Sequence, residues 1–326
     1  MRWEDRIGHR LRVKDLHVLQ AVAEAGSMAK AAGHLALSQS AISKILSDLE
    51  ALLGVQLLER NARGVELTKA GLVLVARGRV IFDELQQGMA DIAQLDDPTR
   101  GEVRIGATEP MTSVVSEIIE KLSSTHPGIR YEVEVSDTGT IVEALRERRL
   151  DVVITRWVEP LISDDLEAEV LFATPLAVMC ARSHPLADRR GHTLSGLMGE
   201  AWTLSPPDTF LGRLVGAAFR REGLPLPPAV VQSVSIYMRL NLLSGGRFIS
   251  MLPLTMLRHP MNRPWLVALD ADLSESAGPI GALTLKARTE GGPLRLFKDA
   301  ARKVAKGLAW APTSSQAIPI VDPPIS

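Results

Sequence analysis

Residues 27–54 read SMAKAAGHLALSQSAISKILSDLEALLG, and this stretch decides how the chain is organised. With Ser38 as an N-cap, Ile42, Ile45, Leu49 and Leu52 recur at helical spacing on one face, while Gln39, Ser40, Ser43, Lys44 and Ser47 fall on the other. One face packs and the other is short and polar. A preceding helix starting at Ser27 carries Met28, Ala31, Ala32 and Leu35 on a small-residue face, and Leu35-Ala36-Leu37 is short enough to turn the two helices steeply together. Close approach of that kind lets a polar face project into a major groove, where Gln can pair with adenine and Lys with guanine. Periodicity alone also fits a plain amphipathic pair whose polar face is solvated.

Outward from this segment, Leu16 to Leu53 reads as three short helices, broken at Gly26 and Gly54. A turn-rich bridge, VQLLERNARGVELT, leads to a helical stretch from Lys69 to Leu95 that stops before Asp96-Asp97-Pro98. On it, Leu74, Ile81, Leu85 and Ile92 form one apolar seam, and Leu72, Val75, Phe82 and Met89 form a second stripe. Two stripes suit two neighbours, so the seam fits either a second subunit or the helix's own domain. Beyond Arg100, apolar strands (VRIGA, YEVEV, VVIT) alternate with amphipathic helices, the pattern of a parallel sheet with crossovers. A similar run spans Leu176 to Leu254, and IGALTLK with a helix from Leu294 to Leu308 follows. The prolines and small polar residues of APTSSQAIPIVDPPIS predict a disordered tail over 311–326.

At 326 residues the chain exceeds the ~250 to 300 at which one core usually splits, so several domains are expected. A net charge of -1 excludes a polybasic coat for nucleic acid or membrane, so any nucleic-acid site is local. Residues 1–70 hold ten Lys plus Arg against eight Asp plus Glu, an excess too small for tight binding by one subunit. The charged start, MRWEDRIGHRLRVKD, lacks a signal peptide's apolar stretch, and no run is long enough to span a bilayer. A cytoplasmic protein without membrane association is expected. A single cysteine, Cys180, fits a reducing compartment and reads as a small buried residue.

The segment from LHVLQAVAEAGSMAKAAGHL through SQSAISKILSDLE and LGVQLLERNARGVELT to TKAG resembles, element by element, the N-terminal domain of LysR-type transcriptional regulators. The remaining chain has the family's order of elements, so the resemblance spans about residues 10–310. It implies a winged helix-turn-helix over 1–68, all-α with a small β wing, and a linker and dimerisation helix over 69–97. It further implies an α/β effector-binding domain over 101–310, two-lobed like periplasmic binding proteins. Lobe I would hold 101–171 and 276–310, and lobe II 172–275. By resemblance the DNA contacts are Lys30, Ser38, Gln39, Ser40, Ser43, Lys44, Arg60, Arg63 and Thr68, with Ser40 standing where many members have proline. The implied partners are double-stranded promoter DNA, a small-molecule effector, further copies as dimer or tetramer, and RNA polymerase.

Ligands of open α/β sheets sit at strand C-termini and helix N-termini. Those ends here carry Thr108, Glu109, Met111, Thr112, Asp137, Thr138 and Arg156 in the first lobe, and Ser205, Thr209, Ser235 and Tyr237 in the second. Each alone also reads as an ordinary helix cap. Glu109 and Asp137 oppose an anion and suit hydroxyls or an amine, while Arg156 favours an acid. The motif SGGRFISMLP, with WEDRIGHRLRVKDLHVLQ and GEVRIGATEP, resembles the branch regulating sugar-binding-protein and aromatic-acid catabolic genes, leaving aromatic acid and sugar both open as effectors.

Enzyme motifs are missing: there is no G-x-S-x-G elbow, P-loop signature, H-E-x-x-H or dinucleotide glycine fingerprint. His126 and His184 each precede proline without metal-ligand spacing, so neither a metal nor a cofactor is expected. The competing readings are a solute-binding or catalytic α/β protein with a vestigial helical N-terminal domain, and an adaptor that dimerises without DNA affinity.

Overall fold

The computed structural model describes residues 10–61, 64–94, 100–156, 163–271, 273 and 278–308. The expected tail over 311–326 and the stop at Asp96-Asp97-Pro98 lie outside them. The chain divides into two compact units, Met1–Ile92 and Ala93–Ser326.

In the first unit, α1 (Val13–Ala25) starts three residues before the expected Leu16, while its end and both ends of α2 (Met28–Leu35) and α3 (Gln39–Leu53) fall where the punctuation predicts. Gly26 and Gly54 take left-handed conformations as C-caps, and Ser38 accepts the Ala41 N–H at 3.1 Å. Ala36 also sits at positive φ, the tight corner that swings α3 across α2. The core is built from Leu19, Val22, Ala31, Ile42, Leu46, Leu49 and Leu57. Leu46, not Ile45, completes the buried face of α3, and Ile45 is only half-buried. β1 (Leu58–Asn61) and β2 (Gly64–Leu67) form an antiparallel wing. α4 (Lys69–Gln94) follows, and its first turn passes so close to the wing's approach that a Cβ on Gly71 would lie 2.1 Å from the Leu57 carbonyl oxygen.

The second unit has two lobes. The first contains a five-stranded sheet in the order β4-β3-β5-β12-β6, where β3 is Gly101–Ala107, β4 Ile129–Val135, β5 Val152–Arg156, β6 Leu166–Thr174 and β12 Gly278–Leu285. β3 pairs in parallel with β4 and β5, but β12 runs antiparallel to β5 and β6, so the sheet is mixed and not parallel throughout. The reason is that β12 returns from the other lobe. α5 (Thr112–Thr125) and α9 (Gly292–Leu308) cover one face through Val115, Ile118, Phe297 and Val304. α6 (Thr138–Arg146) covers the other through Ile141 and Leu145.

The expected lobe boundary at 171/172 falls inside β6, which continues to Thr174 because its last residues pair with Gly278 and Pro279. Pro175 is the changeover to β7 (Leu176–Ala181). In the second lobe β7 lies between β10 (Ser250–Pro253) and β11 (Leu266–Ala268), both antiparallel to it. β8 (Trp202–Leu204) and β9 (Ala229–Gln232) run parallel, and a bridge from Trp202 to Ile249 joins them to β10. α7 (Phe210–Arg221) packs on one side with Trp202 and Phe219, and α8 (Ile236–Ser244) on the other with Ile236, Leu243 and Leu252.

Candidate functional site

In the first unit, the buried side of α3 fixes which residues its other side presents. Gln39, Ser40 and Lys44 are exposed on α3 and Lys30 on α2, while Ser43 is half-buried. Ser38 serves as the helix cap, its hydroxyl 3.0 Å from that of Ser40. Glu50, which the sequence reading did not single out, accepts the N–H groups of Leu57 and Leu58 at 2.8 and 3.2 Å and so ties α3 to the wing. Thr68 caps α4: its hydroxyl donates to the Gln56 carbonyl at 2.8 Å and accepts from the Gly71 N–H at 3.0 Å. Arg63 and the side chain of Arg60 lie outside the described residues.

α4 divides its apolar material between two sides. Val75 is buried, Gly78 meets Leu16 and Phe82 lies against His17 with ring centroids 5.6 Å apart, all within the first unit. Leu74 joins them, half-buried on the same core, and so leaves the expected seam. Ile81, Leu85 and Ile92 remain 40%, 49% and 68% exposed, in company with Leu72 and Met89.

In the second unit, a cavity of about 440 Å³ opens between the lobes. Thr108, Glu109 and Met111 line it from the loop after β3, Asp137 and Thr138 from the start of α6, and Arg156 from the end of β5. The second lobe contributes Ser205 and Thr209 ahead of α7. Thr112, Ser235 and Tyr237 do not line it. Thr112 donates its hydroxyl to the Glu109 carbonyl, Ser235 caps α8 by accepting the Met238 N–H, and Tyr237 is 71% exposed.

Local chemistry explains each position. Asp137 caps α6, and the Thr140 hydroxyl and N–H hold its carboxyl below the usual carboxylate range. Thr138 is buried at the first turn, its hydroxyl 3.2 Å from that of Thr155, a cavity residue the sequence reading passed over. Arg156 is also buried, which pushes its guanidinium down to about 10, and it donates to the Thr174 carbonyl at the changeover between lobes. It braces the crossing strand and still lines the cavity. Glu109 is likewise committed, accepting the backbone N–H groups of Ile236 at 2.7 Å and Tyr237 at 2.9 Å, so a first-lobe carboxylate sits on the N-terminus of a second-lobe helix.

The residue that sequence reasoning missed is Arg239. It is fully buried on α8 and lines the cavity, and its three side-chain nitrogens have no hydrogen-bond partner. Burial pushes the guanidinium down to about 10, while the Glu109 charge acts upward, so it is cationic at neutral pH. The available signal was an arginine inside the largely apolar run of IYMRLNLL. Met111, Phe210, Leu211, Leu214 and Val234 supply apolar walls.

A winged helix-turn-helix unit followed by a two-lobed α/β unit with an interlobe cavity defines a DNA-binding regulator that takes a small ligand. Comparison with known proteins agrees. Residues 13–72 match the bacterial regulatory helix-turn-helix protein, lysR family, and residues 96–306 match the LysR substrate binding domain. The HTH-type transcriptional regulator GbpR of Azospirillum brasilense is 32% identical over 229 residues, which are 69% of this chain and 67% of that protein. A full-length OxyR variant from Pseudomonas aeruginosa shares the fold with a TM-score of 0.68 at 20% identity, over 90% of this chain and 98% of that one. Full-length CbnR in complex with its target DNA aligns at a TM-score of 0.53 and 23% identity, over 90% of this chain and 100% of that one. The chain belongs to the LysR family: it is a DNA-binding transcriptional regulator with an effector-binding domain. Among the described residues no helix is long and apolar enough to cross a membrane.

Proposed function

We propose that a small molecule entering the cavity between the two lobes changes how the protein acts on a specific promoter. Gln39, Ser40, Ser43 and Lys44 would read base edges in the major groove, with Ser38 at the helix start. Lys30, Arg60 and Arg63 would hold phosphates or the minor groove. Residues 1–68 are then the DNA-binding part, 69–97 the linker and 101–310 the effector part, with the lobes changing over at Pro175. The exposed stripe of Ile81, Leu85 and Ile92 would pair with the same helix of another copy, placing two reading helices on a roughly palindromic site as a dimer, or two dimers as a tetramer. RNA polymerase is the expected partner at the promoter, and the cytoplasm the expected place of action.

The observation that carries the reading is the cavity of about 440 Å³, walled by both lobes and within the size range of small-molecule sites. It is tested by filling the cavity. In the full-length protein Leu214→Trp should still protect its promoter from nuclease yet lose its response to the inducing growth condition in a reporter strain. An unchanged response would remove the cavity from the switch.

A further inference from the structure

We infer, building on the reading of the interlobe cavity as the effector site, that the effector is a small organic acid whose carboxylate is received by Arg239 of α8. The cavity gives the ligand an apolar berth with Arg239 on its wall, and the buried hydroxyls of Thr203 and Ser250 lie behind that wall, beneath the same helix.

The placement follows from sheet alternation. Trp202 bridges Ile249 in parallel, so Thr203 and Ser250 are neighbours on adjoining strands. Trp202, Leu204, Ile249 and Met251 belong to the core under α7, which turns Thr203 and Ser250 to the opposite face, where α8 packs with Leu252. Both hydroxyl-bearing residues are fully buried, and neither side-chain oxygen has a hydrogen-bond partner. Arg239 lies on the helix covering that face, equally buried and equally unpartnered, and reaches the cavity wall.

A buried guanidinium whose donors meet no hydrogen-bond acceptor destabilises the fold that holds it, so its presence calls for an acceptor beyond the distant charge of Glu109. A carboxylate supplies two oxygens in the geometry a guanidinium matches, and hydroxyls can donate to the remaining lone pairs. Glu109 does not fill this role, because its oxygens accept from the helix backbone at Ile236 and Tyr237. A sugar fits less well, since Thr108, Asp137, Thr138, Ser205 and Thr209 could meet some of its hydroxyls while those facing Met111, Phe210, Leu214 and Val234 would lack partners.

The test compares full-length wild-type and Arg239→Met proteins by thermal unfolding with matched millimolar probes: benzoate against benzamide, hexanoate against hexanamide, with galactose, and with sodium chloride at equal ionic strength. At least one acid should raise the wild-type Tm by a few degrees while its amide, galactose and chloride do not. Arg239→Met should respond to none of them. The inference is overturned if Arg239→Met keeps the wild-type shift with an acid, if amide, galactose or chloride matches the acid, or if neither acid acts. Leu214→Trp keeps the two failures apart. If that variant abolishes the promoter response while the acids fail, only the chemical class is wrong; if it leaves the response intact, the cavity reading itself has failed.

Discussion

The carboxylate of Glu109, on the loop after the first strand of one lobe, accepts the backbone N–H of Ile236 at 2.7 Å in the other lobe. Together with the Tyr237 N–H at 2.9 Å, this makes Glu109 a clasp across the cavity, placed on the positive end of a helix dipole. The acidic residue that seemed in sequence to repel an acid ligand is thus a structural bridge between lobes.

Glu109→Gln keeps the shape and one acceptor while removing the charge that the helix end favours. The lost charge–dipole contact costs about 0.3 to 1 kcal/mol and the N–H left facing the amide NH2 a further ~1 to 3 kcal/mol, so opening of the clasp should become roughly 10-fold more frequent or more. Hydrogen exchange at the Ile236 and Tyr237 amides should accelerate by that factor, while amides of the five-stranded sheet keep their rates. Equal protection in both proteins would show that the clasp contributes nothing to closure.

Thr138→Val removes a buried hydroxyl and keeps its volume. Thr155 retains its bond to the Arg156 carbonyl at 3.2 Å, so the lost contact should cost only ~0.5 to 1.5 kcal/mol of stability. Effector response should fall while promoter affinity and oligomeric state hold. A dose response identical to the wild type would take Thr138 out of the binding site.

On the reading helix, Gln39→Ala should cost about 1 to 3 kcal/mol on the specific site and relax its base preference. Arg63→Ala should instead weaken binding to all sequences and flatten the salt dependence. Titrations against specific and random DNA at several salt concentrations separate the two. Matching losses on both DNAs, with unchanged salt slopes, would contradict the assignment of Gln39 to a base edge.

What was legible in the sequence was whatever depends on near neighbours. Gly26, Ser27, Ser38 and Gly54 mark helix ends because caps act within one turn, and all four stand at those ends in the fold. The buried face of α3 was read one residue out, because Ile45 and Leu46 are both apolar and only packing against α1 and α2 selects Leu46. Long-range closure was the harder part. Nothing local announces that β12 returns antiparallel, that Thr68 faces Gln56 or that Glu109 reaches Ile236 across 127 positions of sequence. Arg239 was missed for the same reason: its significance lies in burial without a partner, a property of the assembled lobe.

Leu85 is 49% exposed on α4, one turn beyond the Phe82 contact that helps hold this helix to its own domain. An arginine there leaves the isolated subunit's core untouched, so Leu85→Arg should express as a folded protein. Against a partner helix the same arginine would be buried without a counterion. Loss of a packed leucine alone costs ~2 to 5 kcal/mol, and an unpaired charge costs more, so the dimer should dissociate. Because residues 1–70 carry an excess of only two positive charges, a single subunit should then bind its promoter far more weakly than the linked pair. Sedimentation and a DNA titration on one preparation check both parts. If Leu85→Arg stayed dimeric and bound its promoter with wild-type affinity, the exposed stripe of α4 would not be the subunit contact.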